Sequence, residues 1–114
     1  MRYIYLFNVE GTDIYKIGIS KNPSKRKSQV QTGCPYKIIE VDRFESEHFL
    51  DIETRLHAKY QLNKVDEDGR ELQGEFFRLS KKERDLFIED CRKSESIFII
   101  LEKNSYLANK KNAK

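Results

Sequence analysis

Glu53 and His57 stand where a helix should be apolar. Residues 49–60 form an amphipathic pattern whose stripe runs Phe49, Ile52, Leu56, Tyr60, in steps of three and four. At about 100° per residue Glu53 falls between Phe49 and Tyr60 on that stripe, and His57 lies at its edge one turn on. A carboxylate facing a core without a partner costs several kcal/mol. Glu53 must therefore meet a cation, a metal ion or a solvent-filled cleft.

A second group lies earlier in the chain. In Tyr15-Lys16-Ile17-Gly18-Ile19-Ser20, alternation puts Lys16, Gly18 and Ser20 on one face of a strand and Tyr15, Ile17 and Ile19 on the other. A lysine inside an apolar strand is unusual, and a glycine two residues on lets something approach the backbone closely. Tyr5 lies on the preceding strand, and Arg26 follows at the start of a helix between Lys25 and Lys27. Tyrosine, lysine and arginine so placed suit a phosphate-facing group.

The elements that hold these residues are readable from pattern. Tyr3–Val9 is a buried strand, residues 10–13 are a turn, and Ile14–Ile19 returns as an antiparallel partner. Asn22 and Pro23 open a helix that reaches about Gln31 and is stopped by Gly33-Cys34-Pro35. Lys37–Phe44 is a third strand, and Ser46 is placed to cap the helix carrying Glu53, which ends near Leu62. A polar loop with a turn at Asp68-Gly69 leads to a short packed segment, Gly74–Leu79, whose Phe76 and Phe77 belong to the core. Ser80 and Glu83 form a capping box for a helix to about Lys93. The apolar run 96–102 fits a strand or a helix continuation, and the polar, basic residues from Asn104 onward predict a fraying tail. The order predicts an α/β (α+β) sandwich: a small three-stranded antiparallel sheet flanked by helices. His48, opening the Glu53 helix, is expected to be exposed.

The chain has 114 residues, one domain's length, and a net charge of +3, a mild lean toward polyanions. Its two cysteines, Cys34 and Cys91, are far apart, and no grouping matches a Cys/His zinc site; two reduced thiols are expected. The opening apolar run is too short for a signal peptide, and nothing approaches the ~20 apolar residues of a membrane span. The expectation is a soluble intracellular protein, cytoplasmic or nuclear, with no membrane partner.

Six segments in order carry a family resemblance: Tyr3-Ile4-Tyr5, Tyr15-Lys16-Ile17-Gly18-Ile19-Ser20, Asn22-Pro23-Ser24-Lys25-Arg26, Thr32-Gly33-Cys34-Pro35, Glu53-Thr54-Arg55-Leu56-His57 and Gly74-Glu75-Phe76-Phe77-Arg78-Leu79. Together they resemble the GIY-YIG nuclease superfamily, more closely its T5orf172/Mug113-like branch. The resemblance implies a GIY-YIG-like domain over residues 1–94 and a C-terminal extension over 95–114. It implies metal-dependent hydrolysis of DNA phosphodiesters, with Mg²⁺ or Mn²⁺ on Glu53. Tyr5 matches the tyrosine of the first half-motif, Arg26 the arginine of the first helix, and His57 the histidine typical of the branch. Lys16 stands where the second tyrosine of the superfamily pattern falls, and Tyr3 replaces its first glycine.

On this reading water attacks phosphorus, Arg26 neutralises growing charge, and Tyr5 or Lys16 takes the proton, which requires a lowered pKa. Lys25, Arg26 and Lys27 contact the DNA backbone. With little room for a recognition domain, weak specificity, structure recognition or an external targeting partner is expected. Two other classes remain open: a non-catalytic nucleic-acid-binding module on the same fold, and a homodimer or regulatory protein using 97–101 as its interface.

Overall fold

The aromatic and branched residues near the N-terminus form β1 (Arg2–Val9), and β2 (Ile14–Ser20) returns beside it with Tyr5 opposite Gly18 and Phe7 opposite Lys16. The computed structural model describes residues 2–65 and 68–112, with side chains up to Leu107. Thr12 closes the hairpin: its hydroxyl donates to the Val9 carbonyl at 2.7 Å and accepts from the Ile14 amide at 3.1 Å. Helix α1 (Pro23–Thr32) begins as its sequence directs, with the Asn22 side chain accepting from the Lys25 amide at 3.1 Å and Pro23 in the first turn; Gly33 is its C-cap. Strand β3 (Ile38–Ser46) lies on the other side of β1.

Helix α2 (Phe49–Lys59) carries Glu53 and His57, and a 3-10 turn at Gln61–Asn63 follows it. Ser46 does not cap α2. It is the buried last residue of β3, two positions too early, and its hydroxyl instead accepts from the His48 amide at 3.0 Å. His48 is the N-cap, without a side-chain capping bond. It is half-buried rather than exposed, because Nε2 turns toward the Glu102 carboxylate 3.2 Å away.

The short packed segment supplies a fourth strand, β4 (Phe76–Arg78), antiparallel to β2. The sheet order is β3-β1-β2-β4, so the three-strand expectation falls one short. The Ser80–Glu83 capping box forms, but it heads a five-residue α3 (Lys81–Asp85). The chain breaks at Leu86, which lets the buried Phe87 enter the core, and α4 (Phe87–Asn112) starts afresh. The undecided run 96–102 lies inside α4, as do the residues from Asn104 to Asn112. Ile99, Ile100, Leu101, Tyr106 and Leu107 are exposed along it.

The sheet divides the apolar residues by alternation. Ile4, Leu6, Tyr15, Ile17 and Phe77 pack with Ile52, Leu56, Tyr60, Phe87 and Cys91, the last five supplied by α2, its C-cap and α4. Tyr5, Phe7, Val9 and Ile38 form the opposite cluster, under Val30 of α1 and Cys34 just beyond it. Both cysteines are free, and among the described residues no helix is long and apolar enough to cross a membrane.

One polar clamp ties α2 to α4. The buried Asp90 accepts from the Tyr60 hydroxyl at 2.7 Å and from Lys59 Nζ at 2.8 Å. Asp90→Ala leaves the buried phenol unpaired and should cost about 1–3 kcal/mol in urea unfolding. Lys59→Ala, which removes a half-exposed partner, should cost less than about 1 kcal/mol. Equal costs would show that the ammonium, not the phenol, carries the clamp.

Candidate active site at the open edge of β2

Strand β4 pairs with β2 only at Ile14, Tyr15 and Lys16. Beyond that point the β2 edge is taken over by other groups. The Ile17 amide donates to the Glu75 carbonyl at 3.1 Å, and the Ile17 carbonyl meets His57 Nε2 at 2.8 Å. A carbonyl only accepts, so Nε2 carries a proton there, and a neutral His57 keeps its lone pair on Nδ1. The ring also lies 4.9 Å from that of Phe77. The imidazole thus continues the ladder where the strand ends. Glu53, one turn earlier on α2, is brought to the same edge.

Here groups from both faces of the sheet meet. Tyr5 and Lys16 stand on the α1 face, separated from the Tyr15 face as the alternation requires; Tyr15 is buried in the opposite core. Lys16 Nζ donates to Glu75 Oε2 at 2.9 Å and lies 5.1 Å from the centre of the Phe76 ring. Gly18 makes room for the convergence. A Cβ at that position would lie 2.3 Å from the Tyr5 hydroxyl oxygen and 2.7 Å from Glu75 Oε2, so the phenol and the carboxylate flank one spot above its backbone. Gly74 takes φ +62°, a turn that favours glycine and delivers Glu75 to the site.

Glu53 is half-buried, and its Oε2 is buried without a hydrogen-bond partner. It forms no ion pair among the described residues, so a structural bridge to Arg26 does not account for it. Burial, and next the nearby Glu75 carboxylate, raise its pKa; His57 and Lys16 oppose them. Tyr5 is held well above the ordinary phenol range, by burial first and then by Glu75 and Glu53, against Arg26. The protein groups around Tyr5 thus push its pKa up, opposite to the lowering that a base at this position requires. Two carboxylates outweigh the single guanidinium that acts on the ring. Arg26 reaches the site through this electrostatic effect, from an exposed position on α1. Lys25 is exposed and Lys27 half-buried on the same helix, and among the described residues none of the three is in a salt bridge. Tyr3 leans toward β3, with the Arg43 guanidinium 5.3 Å from its ring centre.

The donor set bears on the implied cation. Mg²⁺ and Mn²⁺ take few protein carboxylates and keep several waters. Among the described residues no group of three or more His, Cys, Asp or Glu could form a protein cage. One orphaned carboxylate oxygen beside a second acid fits a hydrated cation held chiefly by Glu53.

The T5orf172 domain model matches residues 2–92, most of the chain. The protein belongs to the T5orf172 domain family. Neither the curated proteins nor the solved structures yielded a match. T5orf172 domains are related to endonucleases, which places this chain among nuclease-like or nucleic-acid-binding modules. All the site residues gathered here lie inside the matched T5orf172 region, and α4 runs out beyond it.

Of the residues singled out in the sequence, Tyr5, Lys16, Glu53 and His57 come together at the β2 edge, and Arg26 acts on Tyr5 from α1. Glu75 stands in the sequence only as one residue of the Gly74–Leu79 segment, with no site function implied there. Its signal was an acid lodged between a glycine and an aromatic pair, in a segment short enough to end at a sheet edge.

Proposed function

We propose that this T5orf172 domain is a divalent-metal-dependent DNA endonuclease that hydrolyses phosphodiester bonds at the open edge of β2. The observation that carries the reading is the buried, unpartnered oxygen of Glu53 in a site shared with Lys16, His57, Tyr5 and Glu75. A carboxylate kept in that state costs stability, and a cation-binding function accounts for its retention. Glu53 would hold Mg²⁺ or Mn²⁺, which when bound polarises the phosphate and stabilises the departing 3′ oxygen. Arg26 neutralises charge that grows on the phosphate. Lys25, Arg26 and Lys27 lie on a helix of ten residues with no acid, and they contact the DNA backbone. Tyr5, held as a phenol, donates a hydrogen bond to the reacting phosphate or water.

A binding module without turnover is the second reading, favoured by the raised Tyr5 and by the engagement of Lys16 with Glu75. Supercoiled plasmid separates the two. The enzyme reading expects nicked or linear DNA with Mg²⁺ or Mn²⁺ and none in EDTA, and Arg26→Ala should slow cleavage roughly 10²-fold. Retarded DNA in EDTA with no new ends at any metal concentration would leave the binding module standing.

A further inference from the structure

We propose that Glu75 is a catalytic residue of this site, the group that accepts the proton of the attacking water. The inference rests on the endonuclease reading and supplies what that reading lacks, a base.

A proton acceptor needs a free lone pair at the reacting centre. The Tyr5 phenol, while it keeps its proton, is far too weak a base to take another. Lys16 spends its ammonium on Glu75 at 2.9 Å. Glu53 is the residue committed to the cation. His57, anchored through Nε2 to the Ile17 carbonyl, keeps a lone pair on Nδ1, but the atoms nearest the spot above Gly18 are those of Tyr5 and Glu75 and none is from His57. Glu75 remains, and it is fixed at three points. Its carbonyl accepts from the Ile17 amide, its Oε2 accepts from Lys16, and Gly74 before it supplies the turn. Its carboxylate flanks the spot above Gly18 together with the Tyr5 hydroxyl. It is the one acid that acts electrostatically on both Tyr5 and Glu53. The site is thus built around this carboxylate.

The step balances simply. The water oxygen forms a bond to phosphorus as the bond from phosphorus to the bridging 3′ oxygen breaks. One water proton passes to Glu75 Oε2, which faces the spot above Gly18 and keeps a second lone pair beside its bond to Lys16. The departing oxygen takes a proton from solvent to become a 3′ hydroxyl, and the other product is a 5′ phosphate. Glu75 then releases its proton to solvent, so no oxidant or second substrate is needed.

The test is single-turnover cleavage of plasmid DNA with Mn²⁺ by the parent, Glu75→Gln and Glu75→Ala. Glutamine keeps an oxygen for Lys16 and the volume of the side chain but cannot take the proton. Glu75→Gln should cleave roughly 10²-fold or more slowly. Its binding of DNA in EDTA should match the parent, and its Mn²⁺ affinity, followed by electron paramagnetic resonance, should fall far less than that of Glu53→Gln. Added formate should restore part of the Glu75→Ala rate, and acetate, the stronger base, should restore more. Neither should accelerate the parent. Near-parental cleavage by Glu75→Gln overturns the proposal. So does a slow Glu75→Ala that no carboxylate rescues, which would make Glu75 only a positioning residue for Lys16. A parent that cleaves with neither metal removes the endonuclease reading itself, and this inference with it.

Discussion

Glu53→Gln is expected to yield a protein that is more stable than the parent and that cleaves DNA roughly 10²–10³-fold more slowly or worse. Both halves follow from one atom. Glu53 Oε2 is buried without a partner, so the parent carries an uncompensated carboxylate. Glutamine removes the charge but leaves an amide in the same place, so the gain is modest, about 1 kcal/mol. The pH dependence gives the sharper check. Burial raises the folded-state pKa above its ordinary value of 4.5, so the folded chain holds the proton more tightly than the unfolded chain does. The penalty is therefore absent below about pH 4.5 and grows until the pH has passed the raised folded value. In urea unfolding with EDTA, parent and variant should converge in acid and separate toward neutrality, with the variant above. Mg²⁺ should then raise the parent by about 1.4 kcal/mol at ten times its Kd and leave the variant unmoved. A variant less stable than the parent at every pH would mean that Glu53 has a partner in solution and is structural.

The readable and unreadable parts of this site divide along a physical line. Helix α2 was legible because Phe49, Ile52, Leu56 and Tyr60 repeat at helical spacing, and that regularity exposed Glu53 as misplaced. The β1–β2 hairpin and the facing of Lys16 followed from alternation, a local property. The α1 start and the Ser80 capping box are written in adjacent residues. What failed depended on distant partners. Strand β4 has three residues, too few to alternate, and becomes a strand only through β2, about sixty residues away in sequence. The break at Leu86 has no glycine or proline to announce it; the burial of Phe87 imposes it. Ser46 is a good capping residue that the sheet claimed first. The same dependence hid Glu75. Its charge is ordinary on paper, and only its place just before β4, whose first residue pairs with Lys16, brings it to Lys16 and the spot above Gly18.

Gly18→Ala should slow cleavage by roughly 10²-fold while the protein still folds. The backbone itself allows alanine, since Gly18 does not have positive φ. The obstacle is purely steric. The new methyl would stand 2.3 Å from the Tyr5 hydroxyl oxygen, 2.5 Å from its Cζ and 2.7 Å from Glu75 Oε2. Glu75 is half-exposed and can withdraw, at the cost of its bond to Lys16. Tyr5 cannot swing freely. Its ring is 1% exposed and stacked on Phe7 with centroids 4.0 Å apart. The strain should appear as about 1–3 kcal/mol in unfolding, the usual cost of overpacking. A shift of even 1 Å at the phenol or the carboxylate suffices for a 10²-fold rate loss. Gly33→Ala, with nothing within 4 Å of its Cβ, is the silent control. The decisive comparison is Gly18→Ala combined with Tyr5→Phe. Removing the hydroxyl takes away the closest of the three clashes, so the double variant should recover part of the lost stability, a coupling between neighbours that separate sites do not show. It should recover none of the cleavage, because the phenol that contacts the reacting group is gone. If Gly18→Ala alone costs neither stability nor rate, the phenol and Glu75 do not meet above Gly18 in solution, and the site described at this edge of the sheet is not the one that works.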